Sequence, residues 1–164
     1  MKKVFTGALI IASLLAAAYL YQKYRIAPGI QFETLELTDL NGQKVTLEDY
    51  RGKKLFINFF ATWCGSCIGE FPALDNAAGI LMPDNFVFIS ISDEPLPLLN
   101  HASTRLLLQH ITILHSVKKL KQLNIFTYPT SYLLNAKGHI VFKKTEEETW
   151  DSPEIIKLLK EKTD

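Results

Sequence analysis

Cysteine is nearly missing from this chain: there are two in 164 residues, Cys64 and Cys67, against ten phenylalanines and six tyrosines. Two cysteines cannot build the several bridges that staple a small secreted scaffold, and a bridge across so short a loop gains little closure entropy. An excess of charge of one sign is missing too. The formal net charge is +1, and the 21% of charged residues mix both signs along the sequence, which leaves neither a basic face for nucleic acid nor an acidic tail. Internal repeats are absent, and the only biased stretch is the short "EEE" at 146–148. A chain of this length is then expected to form one domain around a single hydrophobic core.

One apolar run stands apart. "VFTGALIIASLLAAAYLY", residues 4–21, carries no charge, follows Lys2 and Lys3, and leads into Lys23 and Arg25. It is just long enough to span a bilayer. A signal peptide cut after Ala16, Ala17 and Ala18 is the competing reading, but the run continues through Tyr19, Leu20 and Tyr21 and ends in interface-type residues, which favours an uncleaved anchor. No cysteine lies near it to carry a lipid. The expected organisation is a signal-anchor over 1–25, a linker over 26–33 and a domain over 34–164. The domain is then membrane-anchored on the extracytoplasmic, periplasmic side, or secreted if the segment is cut.

In the domain, two short alternating runs flank "LNGQ", a hairpin signal in which Asn41 and Gly42 supply positive backbone angles. "KLFINFF" at 54–60 and "NFVFISIS" at 85–92 are near-continuous apolar runs suited to buried strands. A helix is predicted over about 66–81, kinked or interrupted at Pro72. A second is predicted over about 98–109, followed by a short strand "ITIL" and a short helix in "HSVKKLKQLNI" whose lysines face solvent. "SYLLNAKGHIVFKK" pairs two strands about Gly138, and "SPEIIKLLKEK" opens a last helix with Ser152 as cap and Pro153 at its first position. Strands alternating with helices and closed by an antiparallel hairpin imply three layers around a mixed sheet.

Cys64 falls where a buried strand gives way to a helix. Unpaired N–H groups and the positive end of the helix dipole stabilise a thiolate there, and this can bring a thiol from about 8.5 to near neutrality or below. Cys64 is then the attacking nucleophile. Cys67, one turn on and deeper, can displace a mixed disulfide formed at Cys64. Zinc would have to draw two more ligands from His101, His110, His115 and His139 at scattered positions; inert buried cysteines fit the strand, tryptophan and helix around them poorly, and a purely structural bridge gains too little across so short a loop. The chemistry calls for no cofactor and no metal.

The segments "LEDYRGKKLFINFFATWC", "CGSCIGEFPAL", "ISISDE" and "YPTSYLLNAKGHIVFK", in this order from about residue 34 to the C-terminus, resemble the TlpA/ResA-type membrane-anchored thiol-disulfide oxidoreductases of the thioredoxin superfamily. The resemblance implies a thioredoxin-like α/β fold, with a mixed central sheet flanked by helices, an N-terminal β-hairpin extension and an N-terminal membrane anchor. It implies a redox-active Cys64–Cys67 pair. Pro129 would be a cis-proline opposite the disulfide, and Tyr128 would offer backbone groups to an extended substrate segment. Trp63 would shield the thiolate and add to the substrate surface, its alternative being a plain core role. Glu70 matches an acid held close to the cysteines, able to accept the Cys67 proton if it is buried; on the helix surface it would be a plain solvated glutamate. Asn58 stands where thioredoxin itself has a buried aspartate and cannot act as a base.

The implied activity is reduction of protein disulfides, including apocytochrome c thiols awaiting haem, with electrons from a membrane-embedded or soluble redox partner. The same residues would serve an oxidant that donates its disulfide, and a binding module with a vestigial pair is the alternative of another class. Peroxidase chemistry lacks its Pro-x-x-x-Thr-x-x-Cys arrangement. Two departures bear on direction and substrate: the Gly65-Ser66 dipeptide between the cysteines, and a bulky Tyr128 before the proline. Gly69 has no functional account.

Overall fold

A computed structural model describes residue 30 and residues 32–163. The segment read as an anchor, residues 1–25, lies outside them. No helix among the described residues is long and apolar enough to cross a membrane. Ile30 and Phe32, inside the stretch read as linker, are buried in the core.

Seven strands form one mixed sheet: β1 (Leu37–Thr38), β2 (Lys44–Val45), β3 (Lys54–Phe59), β4 (Phe86–Ser92), β5 (Ile111–Ser116), β6 (Thr130–Leu134) and β7 (Ile140–Lys144), in the order β2-β1-β5-β4-β3-β6-β7. The central β3, β4 and β5 run parallel, and every other pair is antiparallel. Among the described residues three helices accompany them: α1 (Gly65–Leu81), α2 (Leu96–Leu106) and α3 (Pro153–Thr163).

Alternation along β3 divides the core. Leu55, Ile57 and Phe59 join Ile89, Ile91 and Tyr132 on one face. Phe56 points the other way and packs with Leu74 and Leu81 of α1, Leu159 of α3 and Trp150. Phe60 shares that second face with Phe71 of α1 and Leu99 of α2. All three helices therefore cover the same face. The crossovers β3-α1-β4 and β4-α2-β5 step across the sheet in the same direction, and crossovers of one hand then place their helices on one side. The third of the three expected layers is built from short 3-10 turns, among them Phe32–Thr34 and Leu120–Leu123.

Local corrections have plain causes. The hairpin loop takes a positive angle at Gly42 alone; Asp39 Oδ1 accepts the N–H groups of Asn41 and Gln43 and closes the loop without one at Asn41. Helix α1 runs through Pro72 unbroken, with Pro72 on its exposed face, where the carbonyl it leaves unpaired can reach water. Helix α2 begins two residues earlier than expected, because Pro97 sits in its first turn, where a missing N–H costs nothing. It also ends earlier, at Leu106, followed by Leu107 with φ of 51° and 78% of its surface exposed. The expected short helix is the single turn Leu120–Leu123, and β5 extends past "ITIL" to Ser116.

Leu107 occupies the left-handed conformation that glycine adopts freely, at about 1–2 kcal/mol for an L-residue, and contributes little burial. Leu107→Gly is expected to stabilise the fold by up to about 1 kcal/mol, read as a rise in the urea midpoint. An unchanged or lower midpoint would show that its side chain matters more than its backbone.

Candidate active site

Strand β3 ends at Phe59, and the chain then turns through Ala61 to Cys64, whose N–H is bonded to the Ala61 carbonyl at 3.1 Å. Cys64 is the N-cap of α1, and its Sγ accepts the Cys67 N–H at 3.2 Å. The sulfur thus lies at the helix terminus, where the dipole favours negative charge. Cys64 and Cys67 form a disulfide, Cys64 being 7% exposed and Cys67 fully buried. The Ser66 hydroxyl lies 3.5 Å from Cys64 Sγ.

Glu70, three residues after Cys67 on the inward side of α1, is 5% exposed, which rules out the surface glutamate. Its Oε1 accepts from Asn58 Nδ2 at 2.9 Å, and its Oε2 from the indole N–H of Trp150 at 2.8 Å. Asn58 Nδ2 also donates to Ser131 Oγ at 3.1 Å. Burial pushes the Glu70 carboxyl above the usual range. The Trp150 and Asn58 hydrogen bonds and the Glu148 backbone N–H pull it back, and the charge of Glu147 adds to the rise.

The Tyr128–Pro129 peptide is cis, at the entrance to β6. The Tyr128 ring is half-buried and meets Trp63 edge-on, with centroids 5.9 Å apart. Trp63 itself is 73% exposed, so a core role is excluded and both rings are open to a partner. Burial, then the charges of Asp93 and Glu94, push the Tyr128 phenol up, so it stays a neutral donor at ordinary pH.

Two groups were not foreseen. Trp150 lies in the stretch before α3 and holds Glu70 from across the fold. Glu94, after β4, accepts both the N–H and the hydroxyl of Thr62, at 2.5 and 2.8 Å, and so fixes the turn that leads to Cys64. The "DE" that follows β4 could have marked a loop carboxylate; nothing local marks Trp150. No group of histidine, cysteine and acidic side chains suited to a metal ion occurs among the described residues, and the four histidines do not gather at the cysteines. A cavity of about 850 Å³ lies elsewhere, bordered by Phe32, Tyr50, Leu134 and Lys137, and touches none of Trp63, Cys64, Cys67, Glu70, Tyr128, Pro129 and Trp150. The disulfide reaches solvent only through Cys64, beside the exposed ring of Trp63.

The redoxin family model matches residues 27–159, nearly the whole described chain. This chain belongs to the redoxin family. Within the thioredoxin superfamily, this redoxin is of the ResA/TlpA type and is a thiol-disulfide oxidoreductase. It is similar to the thioredoxin-like protein YneN of Bacillus subtilis, at 33% identity over 151 residues, which cover 85% of this chain and 88% of the relative. It is also similar to the thiol-disulfide oxidoreductase ResA of Geobacillus kaustophilus, at 29% over 121 residues, 73% of this chain and 70% of the relative. The solution structure of a putative thioredoxin from Neisseria meningitidis superposes with a TM-score of 0.66 at 23% identity, covering 82% of this chain and 91% of that one. At that identity the redoxin shares its fold with that protein and no more.

Proposed function

We propose that this redoxin is a membrane-tethered reductant of protein disulfides outside the cytoplasm, with the haem-binding cysteines of apocytochrome c among its substrates. The observation that supports it best is the arrangement at the start of α1: a sulfur pair at the helix terminus, two aromatic rings beside it and a buried carboxyl one turn behind. The apolar run at 4–21 supports the tether.

In this reading the reduced pair acts in two steps. The Cys64 thiolate attacks a substrate disulfide, forming a mixed disulfide and releasing one substrate thiolate, which takes a proton from water. Cys67 then gives its proton to Glu70, and its thiolate attacks Cys64 Sγ, closing the Cys64–Cys67 disulfide and expelling the second substrate thiolate. Two electrons pass to the substrate, and a dithiol partner in the membrane or in solution restores the pair. Trp63 and Tyr128 border the attacked sulfur, and the backbone at Tyr128 pairs with the extended substrate segment beside Pro129.

Equilibrium of the full-length chain with glutathione and dithiothreitol buffers tests the direction. A reduction potential near the roughly −270 mV of thioredoxin is expected; one near the roughly −120 mV of a strong oxidant would make the protein a disulfide donor instead. A binding module would show no exchange at all.

A further inference from the structure

Trp150 is fully buried although it belongs to the irregular stretch between β7 and α3. Its ring packs edge-on against Phe56 of β3, with centroids 4.7 Å apart, and this contact aims the indole N–H at Glu70 Oε2. Three donors reach Glu70, the Trp150 indole, the Asn58 amide and the Glu148 backbone N–H, and the two side chains among them differ in kind. The Asn58 amide carries both kinds of group: its Nδ2 donates to Glu70 and Ser131, and its Oδ1, buried without a partner, would accept a hydrogen bond from a neutral Glu70 only if the amide turned over and gave up those two bonds. The indole can only donate. It therefore favours the anion whatever the amide does.

We propose that Trp150 is a positioning residue of the exchange reaction: its indole N–H holds the Glu70 carboxyl as an anion ready to take the Cys67 proton. This rests on the reading of Glu70 as proton acceptor. The surroundings leave few other charges to do the work. β3 and β6 present Asn58 and Ser131, neither ionisable in the working range, and α1 presents Cys67. The stretch before α3 brings Glu147, whose charge opposes the anion, and Glu148, whose carboxylate is paired with Lys144 of β7.

The chain has two tryptophans, so two indole N–H signals are expected in a nitrogen-15 spectrum of the full-length chain in detergent, with Trp63→Phe telling them apart. The Trp150 signal is expected to titrate with the same midpoint as the Glu70 carboxyl carbon. An indole signal that stays flat while Glu70 titrates would overturn the proposal, and this measurement needs no substitution at Trp150.

The second arm follows release of thionitrobenzoate from its mixed disulfide with Cys64, which reports attack by Cys67. Trp150→Phe keeps a ring against Phe56 and removes the N–H. It is expected to move the acid limb of the rate profile up by about one pH unit, a tenfold slowing at a fixed pH on that limb, and to add nothing in a Glu70→Gln background. A uniform slowing with the limb unmoved would mean a merely structural role and defeat the proposal. If Glu70→Gln removes the limb and Trp150→Phe leaves it in place, the indole's role alone is refuted. If Glu70→Gln leaves the limb in place, the reading of Glu70 fails and the proposal with it.

Discussion

Cys64→Ser is expected to reduce insulin-disulfide reduction by the full-length protein to the uncatalysed background, whereas Cys67→Ser should still attack once and then stall as a mixed disulfide. The asymmetry follows from position. Cys64 caps α1 and is the more exposed sulfur, while Cys67 is fully buried behind it. A serine at 64 leaves the buried thiol without access to a protein substrate, and a hydroxyl is no substitute for a thiolate near neutral pH. A serine at 67 leaves the attacking group intact and removes only the group that resolves. Mass spectrometry of the two variants after exposure to a disulfide substrate separates them: a stable adduct on Cys67→Ser and none on Cys64→Ser. Adducts on Cys64→Ser, or turnover retained by it, would reverse the order of attack.

Asn58→Asp should produce the largest loss of stability from a change of so few atoms. Asn58 is 1% exposed, and its Nδ2 serves both Glu70 and Ser131. The substitution removes that donor and sets a second carboxyl at hydrogen-bonding distance from the first. Two buried carboxyls so placed cannot both ionise cheaply, so they hold a proton to higher pH than either would alone. The sign of the pH effect follows from burial. Glu70 already binds its proton more tightly folded than unfolded, so it contributes most to stability below the ordinary glutamate range, and that contribution is lost as pH rises through the folded value. The introduced carboxyl adds to the same loss. At pH 7 a destabilisation of about 3–5 kcal/mol is expected, typical of an uncompensated buried charge, and most of it should vanish near pH 4. Urea midpoints at the two pH values measure it; equal losses at both would place the cost in packing and not in charge.

The cysteines were legible because everything that makes them reactive is local: a buried strand, a short turn and a helix start lie within a dozen residues. Glu70 was legible by position only. Its burial is decided by Trp150, eighty residues further along, and "TWDSP" reads as a loop with a helix cap, with no sign that the loop folds back against α1. The helix boundaries failed where punctuation misled. Prolines at 95 and 97 read as breakers but mark the start of α2, and the end of that helix has Leu107 where a glycine would have announced it. The placement of all three helices on one face depends on the direction of successive crossovers, which no window of sequence contains.

The rims of the sheet carry a consequence for the proposed reductant of protein disulfides. At one rim β2 is two residues long and includes Lys44; at the other, β7 carries Lys143 and Lys144, and its pairing with β6 slips between Leu133 and Leu134. Short, charged and irregular strands make poor templates for further pairing. Under that proposal an unfolded client would find little backbone to zip onto except beside Pro129, next to the sulfur that would release it. Protection from co-aggregation and selectivity for the cysteine end of the molecule would then come from the same blunted rims.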